Sequence, residues 1–380
     1  MAVEKIENRQ LIFMIFLIRA SLALSFLPVV STGTAGRDAW LSVIIVFIVT
    51  VIMTLIIVGL ATKFPRESIV TYAEKLLGNK LGKLIAFLVL WLFLHLAATD
   101  VRIYAELINI AFLPRTPLII IIGGMVFLAA ATSYLGIEVL GRMADFIFLW
   151  YIVLVGASIL LPIPEILPDQ FQPIMAQGVT PILGSALTSS ALAVQLLAVT
   201  IILPHVNEPE KGVRSILVSV SMASILIMLL TVLVVGLVGP EMAKQAKFPF
   251  LFTLRNVNGS EILERLEILS VLAWGLGTYI TLSVYLYCGA KGVSQLFNVE
   301  SYRPLVGPMA VTWIALSIHS FDNIYQVDEF FSPEIFFPYM MSIFVIIYGL
   351  LWGAYFIRVK TGKGIGSNKN KIYSNKDERQ

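Results

Sequence analysis

Five polar residues recur through one apolar stretch at steps of four, three, four and three: His95, Thr99, Arg102, Glu106 and Asn109. At about 100° per residue these steps place all five on one stripe of a helix. Arg102 and Glu106 stand at i,i+4, where opposite charges can pair. Asp100 points off the stripe and is a carboxylate available to another helix. Arg19 lies near the centre of a second apolar run, residues 10–32, and Ser21-Leu22-Ala23, Ser25 and Pro28 follow it. A charge at membrane depth is costly unless it faces protein or a water-filled cavity. Small residues with a proline mark a helix interrupted to offer its backbone to a ligand. Freed N–H groups take a carboxylate, and freed C=O groups take a cation. The competing reading is a packing notch between helices, with Asp100 as the structural carboxylate for Arg19.

The chemistry of these sets is binding rather than catalysis. The sequence has no phosphate-binding Gly-rich loop with its Lys, no paired Cys or His–Glu metal spacing and no nucleophile–base set. An ATP-driven pump and an intramembrane hydrolase are therefore not expected. No enzyme activity, cofactor, metal or nucleic-acid partner is expected.

The elements that position these residues are membrane spans. The chain has 380 residues, 58% of them hydrophobic and 13% charged, with a mean hydropathy of +0.88. A soluble domain is about a quarter charged, so this is an all-α polytopic membrane protein in a lipid bilayer. Cys288 is the only cysteine, which leaves no internal disulfide. The N-terminus reads as a retained first helix, because Arg19 interrupts what could pass for a signal peptide.

Apolar runs fall at 10–32, 40–61, 82–111, 117–135, 143–163, 181–204, 213–239, 266–289, 305–319 and 335–358, giving ten spans. With the N-terminus inside, nineteen Lys and Arg flank the inner ends and six, including Arg37, Arg115 and Lys247, flank the outer ends. That bias predicts cytoplasmic termini and an even span count. In each set of five spans the second loop is the long one, and each long loop holds an amphipathic stretch: residues 67–77, ended by Gly78, and residues 240–254. Five spans per half, starting on opposite sides, predict an inverted repeat. The halves are residues 1–163 and 164–358, and residues 359–380 form a basic, disordered tail.

Span 6 then partners span 1. It is small and polar from Pro181 through Ser185, Ser189 and Ala191 to Gln195, so helices 1 and 6 are the expected interrupted pair. Spans 3 and 8 are also partners, and Thr278, Thr281 and Tyr285 share a face in span 8 behind Gly275 and Gly277. Span midpoints fall near Ser21, Leu96, Leu192 and Thr278, so these groups share one depth. The expected ligand site is Ser21, Leu22, Ala23, His95, Thr99, Ala191, Leu192, Gln195, Thr278, Thr281 and Tyr285. Arg102 lies about 10 Å nearer the outside at 1.5 Å per residue. Arg102–Glu106 therefore reads as an outer structural or gating pair, with Arg19 and Asp100 as a second pair. Elsewhere, His205 and His319 read as interfacial. Glu138, Arg142 and Asp145 read as a local ion-pair group, and Asp322, Asp328, Glu329 and Glu334 as a solvated acidic loop.

Several stretches resemble one family. They are Arg9-Gln10-Leu11, Leu27-Pro28, Ala35-Gly36-Arg37-Asp38-Ala39-Trp40, Phe64-Pro65, Leu77-Gly78-Asn79-Lys80-Leu81-Gly82-Lys83, Leu113-Pro114-Arg115-Thr116-Pro117, Gly136-Ile137-Glu138 and Gln172-Pro173-Ile174. In order and spacing they look like the B subunit of spore nutrient-germinant receptors, the spore germination permeases of the amino acid–polyamine–organocation superfamily. The resemblance implies a LeuT/APC-like fold, with a site for an amino acid or similar nutrient between helices 1, 3, 6 and 8. It implies residence in the spore inner membrane and partnership with a larger membrane A subunit and a lipoprotein C subunit. The bend of helix 1 would fall on Ser21 and Ala23, the helix 3 contacts near His95 and Thr99, and the helix 8 contacts near Thr281 and Tyr285. Relatives commonly carry Gly-x-Gly at the bend; Ser and Ala allow less backbone freedom. The alternative on the same fold is a secondary active amino-acid transporter.

Overall fold

In a bilayer every backbone N–H and C=O must be satisfied within the chain, so the long apolar runs coil into helices. A computed structural model describes residues 4–25, 34–256 and 266–360, without the side chains of Leu22, Ala23 and Ser25. In chain order the helices are α1 (Asn8–Ser25), α2 (Ala39–Ala61), the short α3 (Ile69–Leu77), α4 (Asn79–Ala111), α5 (Leu118–Leu135) and α6 (Ile137–Leu160). There follow α7 (Thr180–Ala191), a 3-10 stretch (Leu192–Ala198), α8 (Val199–Ile202) and α9 (Gly212–Gln245). The last are the short α10 (Pro249–Arg255), then α11 (Leu266–Leu296), α12 (Arg303–His319), α13 (Ile324–Phe330) and α14 (Phe336–Lys360).

Eight helical stretches among the described residues are long and apolar enough to cross a membrane; α12 and α13, bent by 97°, make a ninth if counted as one span. The 18-residue α1, which carries Arg9 and Arg19, is not among them. The described residues thus do not confirm the count of ten. The element order of the first half nevertheless recurs in the second. Each half has a short helix, α3 or α10, between its second and third long elements.

Burial separates centre from rim. The span 180–205 is 94% buried in its most apolar window, against 28% for α5 and for α14. The rim turns Phe127, Phe146, Leu149 and Val345 outward, an apolar belt that suits hydrocarbon. The helix α1 is the other central element and packs on α6, α9 and α11.

The two central helices differ from expectation in one respect. Span 6 does loosen: α7 gives way at Leu192 to seven residues of 3-10 helix, longer than such runs usually are. Helix 1 is regular through Ser21, Leu22 and Ala23 to Ser25, so its interruption is not at those residues. Ser21 spends its hydroxyl on a neighbouring helix, and neither Ser nor Ala has glycine's freedom to leave the helical region. Residues 26–33, with Leu27 and Pro28, lie outside the described residues, as does the tail 361–380.

Two motifs far apart in sequence meet where span 2 begins. Gly36 takes φ 57°. Arg37 then donates to the Gln172 carbonyl oxygen, and the Met175 N–H donates to both carboxylate oxygens of Asp38 at 3.0 and 3.1 Å. The Gly-Arg-Asp box therefore ties the entry of α2 to the connection between the two halves. Asp38 is buried. Asp38→Ala is expected to cost about 1.5–3 kcal/mol, the worth of a hydrogen bond to a charged group, with thermal unfolding in detergent as the measurement.

The face that carries the N-terminus is clasped shut. Ile6 donates to the His205 carbonyl oxygen and Asn207 donates to the Ile6 carbonyl oxygen, both at 2.9 Å, a one-residue bridge to the end of span 6. Glu4 pairs with Arg303 at 3.1 Å and accepts from the Ile137 N–H. Asp145 pairs with Arg9 at 3.2 Å, and Glu138 accepts from the Lys5 N–H. Glu138 and Asp145 thus serve the N-terminal segment and do not form a local group with Arg142.

Candidate functional site

The polar stripe of α4 divides by function. Toward the face opposite the N-terminus, Arg102 holds Glu106 at 2.8 Å in a buried pair and donates to the carbonyl oxygens of Ser317 and Ile318 at 3.0 and 3.1 Å. Those bonds fasten α4 to the end of α12. Asn109 donates to Leu113 and Thr116 carbonyl oxygens and shapes the following turn. Halfway along α4 the stripe opens on a cavity instead. His95, Leu96, Thr99 and Asp100 form one wall, and Leu192, the first residue of the 3-10 stretch, faces them. About 10 Å³ is free between them, enough for a single water.

The remaining wall was not legible in the sequence. Phe330, Phe331, Phe336 and Met340, from the end of α13 and the start of α14, cover the cavity. Asp322, Asp328, Glu329 and Glu334 are exposed as expected, but their segment includes the short helix α13, whose end brings aromatic rings against the middle of α4. Three contacts hold it there. Thr188 of α7 donates to the Phe331 carbonyl oxygen at 3.2 Å, the Phe330 ring lies 5.1 Å from the His95 ring, and Lys247 binds Asp328 and the Ile324 carbonyl oxygen. His95 Nδ1 is 2.8 Å from the Tyr339 hydroxyl, which also accepts from Trp91. The pairs Phe330-Phe331 and Phe336-Phe337 around Ser332-Pro333 were the available signal.

The expected site residues fall into three groups. His95, Thr99 and Leu192 line the cavity, with Asp100 beside them. Ser21 and Thr278 instead join α1 to α11, their hydroxyls 3.0 Å apart, and Thr281, buried in α11, donates to the Gly277 carbonyl oxygen of its own helix. The seam is close, since a Cβ on Gly277 would stand 3.0 Å from that of Ser21. Ala191 and Gln195 are buried in span 6 but do not line the cavity. The side chains of Leu22 and Ala23 lie outside the described residues.

Arg19 and Asp100 are both 3% exposed, yet no ion pair within 4 Å joins them among the described residues. Packing, which sets the separation of α1 and α4, keeps apart the charges that sequence alone would pair. Among the described residues, Arg19 Nε, both carboxylate oxygens of Asp100 and the hydroxyl of the fully buried Tyr285 have no hydrogen-bond partner. Tyr285 stacks on Phe93 and lies within electrostatic range of both Arg19 and Asp100. Among the described residues no group of three His, Cys, Asp or Glu side chains converges as a metal site.

This fold is shared with solved transporters. Mhp1, a nucleobase-cation-symport-1 family transporter solved closed with bromovinylhydantoin bound, superposes with a TM-score of 0.69 at 14% identity, over 94% of this chain and 80% of that one. MhsT, solved in complex with L-phenylalanine, gives a TM-score of 0.64 at 13% identity over 90% and 89%. At such identities the likeness shows the LeuT fold alone. Sequence relatives are closer. Spore germination protein KB of Bacillus subtilis (strain 168) is 26% identical over 318 residues, 83% of this chain and 84% of the relative. Spore germination protein YndE of the same organism is 23% identical over 286 residues, 75% and 79%. The family model described as Spore germination protein matches residues 5–324. By that match across most of its length, the chain belongs to the spore germination protein family, the spore permeases.

Proposed function

We propose that this chain is the membrane subunit of a spore germinant receptor that binds a small nutrient, an amino acid or similar, at mid-depth and signals through partner subunits. The observation that carries this reading is the cavity itself. It lies where the 3-10 stretch of span 6 meets the polar stripe of α4, at the middle of a transporter fold. The partners would be a membrane A subunit and a lipoprotein C subunit, the membrane the spore inner membrane, and both termini cytoplasmic. The two halves, 1–163 and 164–358, would move against each other. A ligand acts by binding one arrangement better than another. With space for one water, this arrangement is the closed one, and a nutrient must displace the aromatic wall or the 3-10 stretch to enter.

The test is thermal unfolding of the purified protein against amino acids, sugars and nucleosides. A ligand at a hundredfold excess over Kd should stabilise by about 2.7 kcal/mol. Leu192→Phe, which fills the cavity, should abolish that stabilisation and germination alike while the protein stays in the membrane. Undiminished stabilisation in Leu192→Phe would remove the cavity from the site. Secondary active transport is the second reading, favoured by two separate closures around one cavity, the clasp at the N-terminal face and the aromatic wall. Accumulation of the stabilising solute in proteoliposomes would establish it.

A further inference from the structure

Where two membrane helices part on their lipid side, the space between them takes an acyl chain, and the charge at its interfacial end decides which lipid brings that chain. The helices α5 and α12 pack together and leave an open groove of about 520 Å³ between them. Its floor is Val126, Val306 and Ala310, all buried, and its rims are Phe127 and Val311, 72% and 67% exposed. Missing side chains give it depth: a Cβ on Gly123 or Gly307 would meet nothing within 4 Å. The groove starts at Tyr134 and Arg303, on the face that carries the N-terminus, and ends at Gly123 and Ile314. Eleven residues of either helix span about 16 Å, about half of a hydrocarbon core of roughly 30 Å. The groove is therefore one leaflet long. A transmembrane partner helix needs twice that length; a single acyl chain does not.

The end at the membrane surface is cationic. Arg303 Nε donates to the Tyr134 carbonyl oxygen and Nη2 pairs with Glu4, both at 3.1 Å. Two bonds do not exhaust a fork of five N–H donors, and the side chain is 38% exposed. The Arg303 guanidinium and the Lys291 ammonium both lie against the Tyr302 ring, 5.8 and 5.6 Å from its centroid. Among the described residues Glu4 is the only carboxylate within ion-pair distance of either cation. One positive charge is left over beside an apolar groove, and a phosphate suits the guanidinium fork.

We propose that the α5–α12 groove binds one anionic phospholipid from the leaflet on the N-terminal face. Its acyl chain lies along Gly307 and Gly123, and its phosphate sits at Arg303. The phosphate takes donors of the guanidinium that Glu4 leaves, so the lipid buttresses the clasp of the N-terminal segment and does not compete with it.

The experiment is native mass spectrometry of the purified full chain in detergent, with phosphatidylglycerol or phosphatidylcholine of identical acyl chains added. Wild-type protein should retain one phosphatidylglycerol at least about fivefold more tightly than phosphatidylcholine, the worth of one cation near a membrane surface. Gly307→Leu, which fills the groove, should abolish retention of that lipid. Gly349→Leu, at an equally open glycine on α14, should leave it unchanged. Arg303→Gln should bring phosphatidylglycerol down to the phosphatidylcholine level. Inorganic phosphate should not displace the lipid, because it brings no chain for the groove. The comparison of the two lipids on wild-type protein needs no variant to fold. Equal retention of both lipids by wild-type protein would overturn the proposal. So would displacement by inorganic phosphate, which would mark a site for the free anion, or undiminished retention in Gly307→Leu.

Discussion

Arg102→Met should destabilise the protein by about 3–5 kcal/mol, the cost of leaving one partner of a buried pair alone. Glu106 is 8% exposed, so the abandoned carboxylate cannot be screened by water. The carbonyl oxygens of Ser317 and Ile318 lose their donor in the same step. The double variant Arg102→Met, Glu106→Gln should recover more than half of the loss, since a neutral pair does not need the desolvated cation. Equilibrium unfolding in mixed micelles reads both. A single-variant loss below about 1 kcal/mol would place the pair in a wet, screened setting, where ion pairs are worth little.

A comparable effect is expected at the other end of α4. A Cβ on Gly82 would lie 2.4 Å from Glu74 Cα and 2.6 Å from Glu74 N, both backbone atoms of α3. A flexible side chain could swing aside, but a helix backbone cannot. Gly82→Ala should therefore cost about 3 kcal/mol, the upper end of over-packing. Gly59, with nothing within 4 Å of its Cβ position, is the control: Gly59→Ala should be neutral or stabilising by about 0.5–1 kcal/mol. Equal effects at the two sites would show that α3 is not held against α4. Gly78, at φ 82°, makes the turn that brings α3 back onto α4. The Leu77–Lys83 motif is thus a packing device, and α4 is pinned at both ends while its middle faces the cavity.

Span lengths were legible because burial in lipid demands continuous apolar runs, and α2, α4, α5 and α14 begin and end within a few residues of expectation. Span 6 was legible for a related reason. Its small polar residues, Ser185 to Ser190, marked the element, although they stay α-helical in α7 and the loosening begins just after them, at Leu192. Distances between helices were not legible. Arg19 and Asp100 looked like partners by charge and depth, but α1 packs on α6, α9 and α11, and no ion pair joins the two charges among the described residues. The aromatic wall was missed because Asp322, Asp328 and Glu329 dominate the hydropathy of their segment. The rings of Phe330 and Phe331 decide where it packs, and the 97° bend before them is a tertiary effect.

The 3-10 stretch of span 6 has a mechanical consequence. Such a helix rises about 2.0 Å per residue and an α-helix about 1.5 Å. Rewinding the seven residues Leu192–Ala198 would shorten the element by about 3.5 Å. Its two ends are both tethered, Thr188 to Phe331 on one side and His205 to Ile6 on the other. A stroke of that length cannot be taken up while both tethers hold. Any change in the length of span 6 would therefore strain at least one of its two tethers, the Thr188–Phe331 bond or the Ile6–His205 bridge.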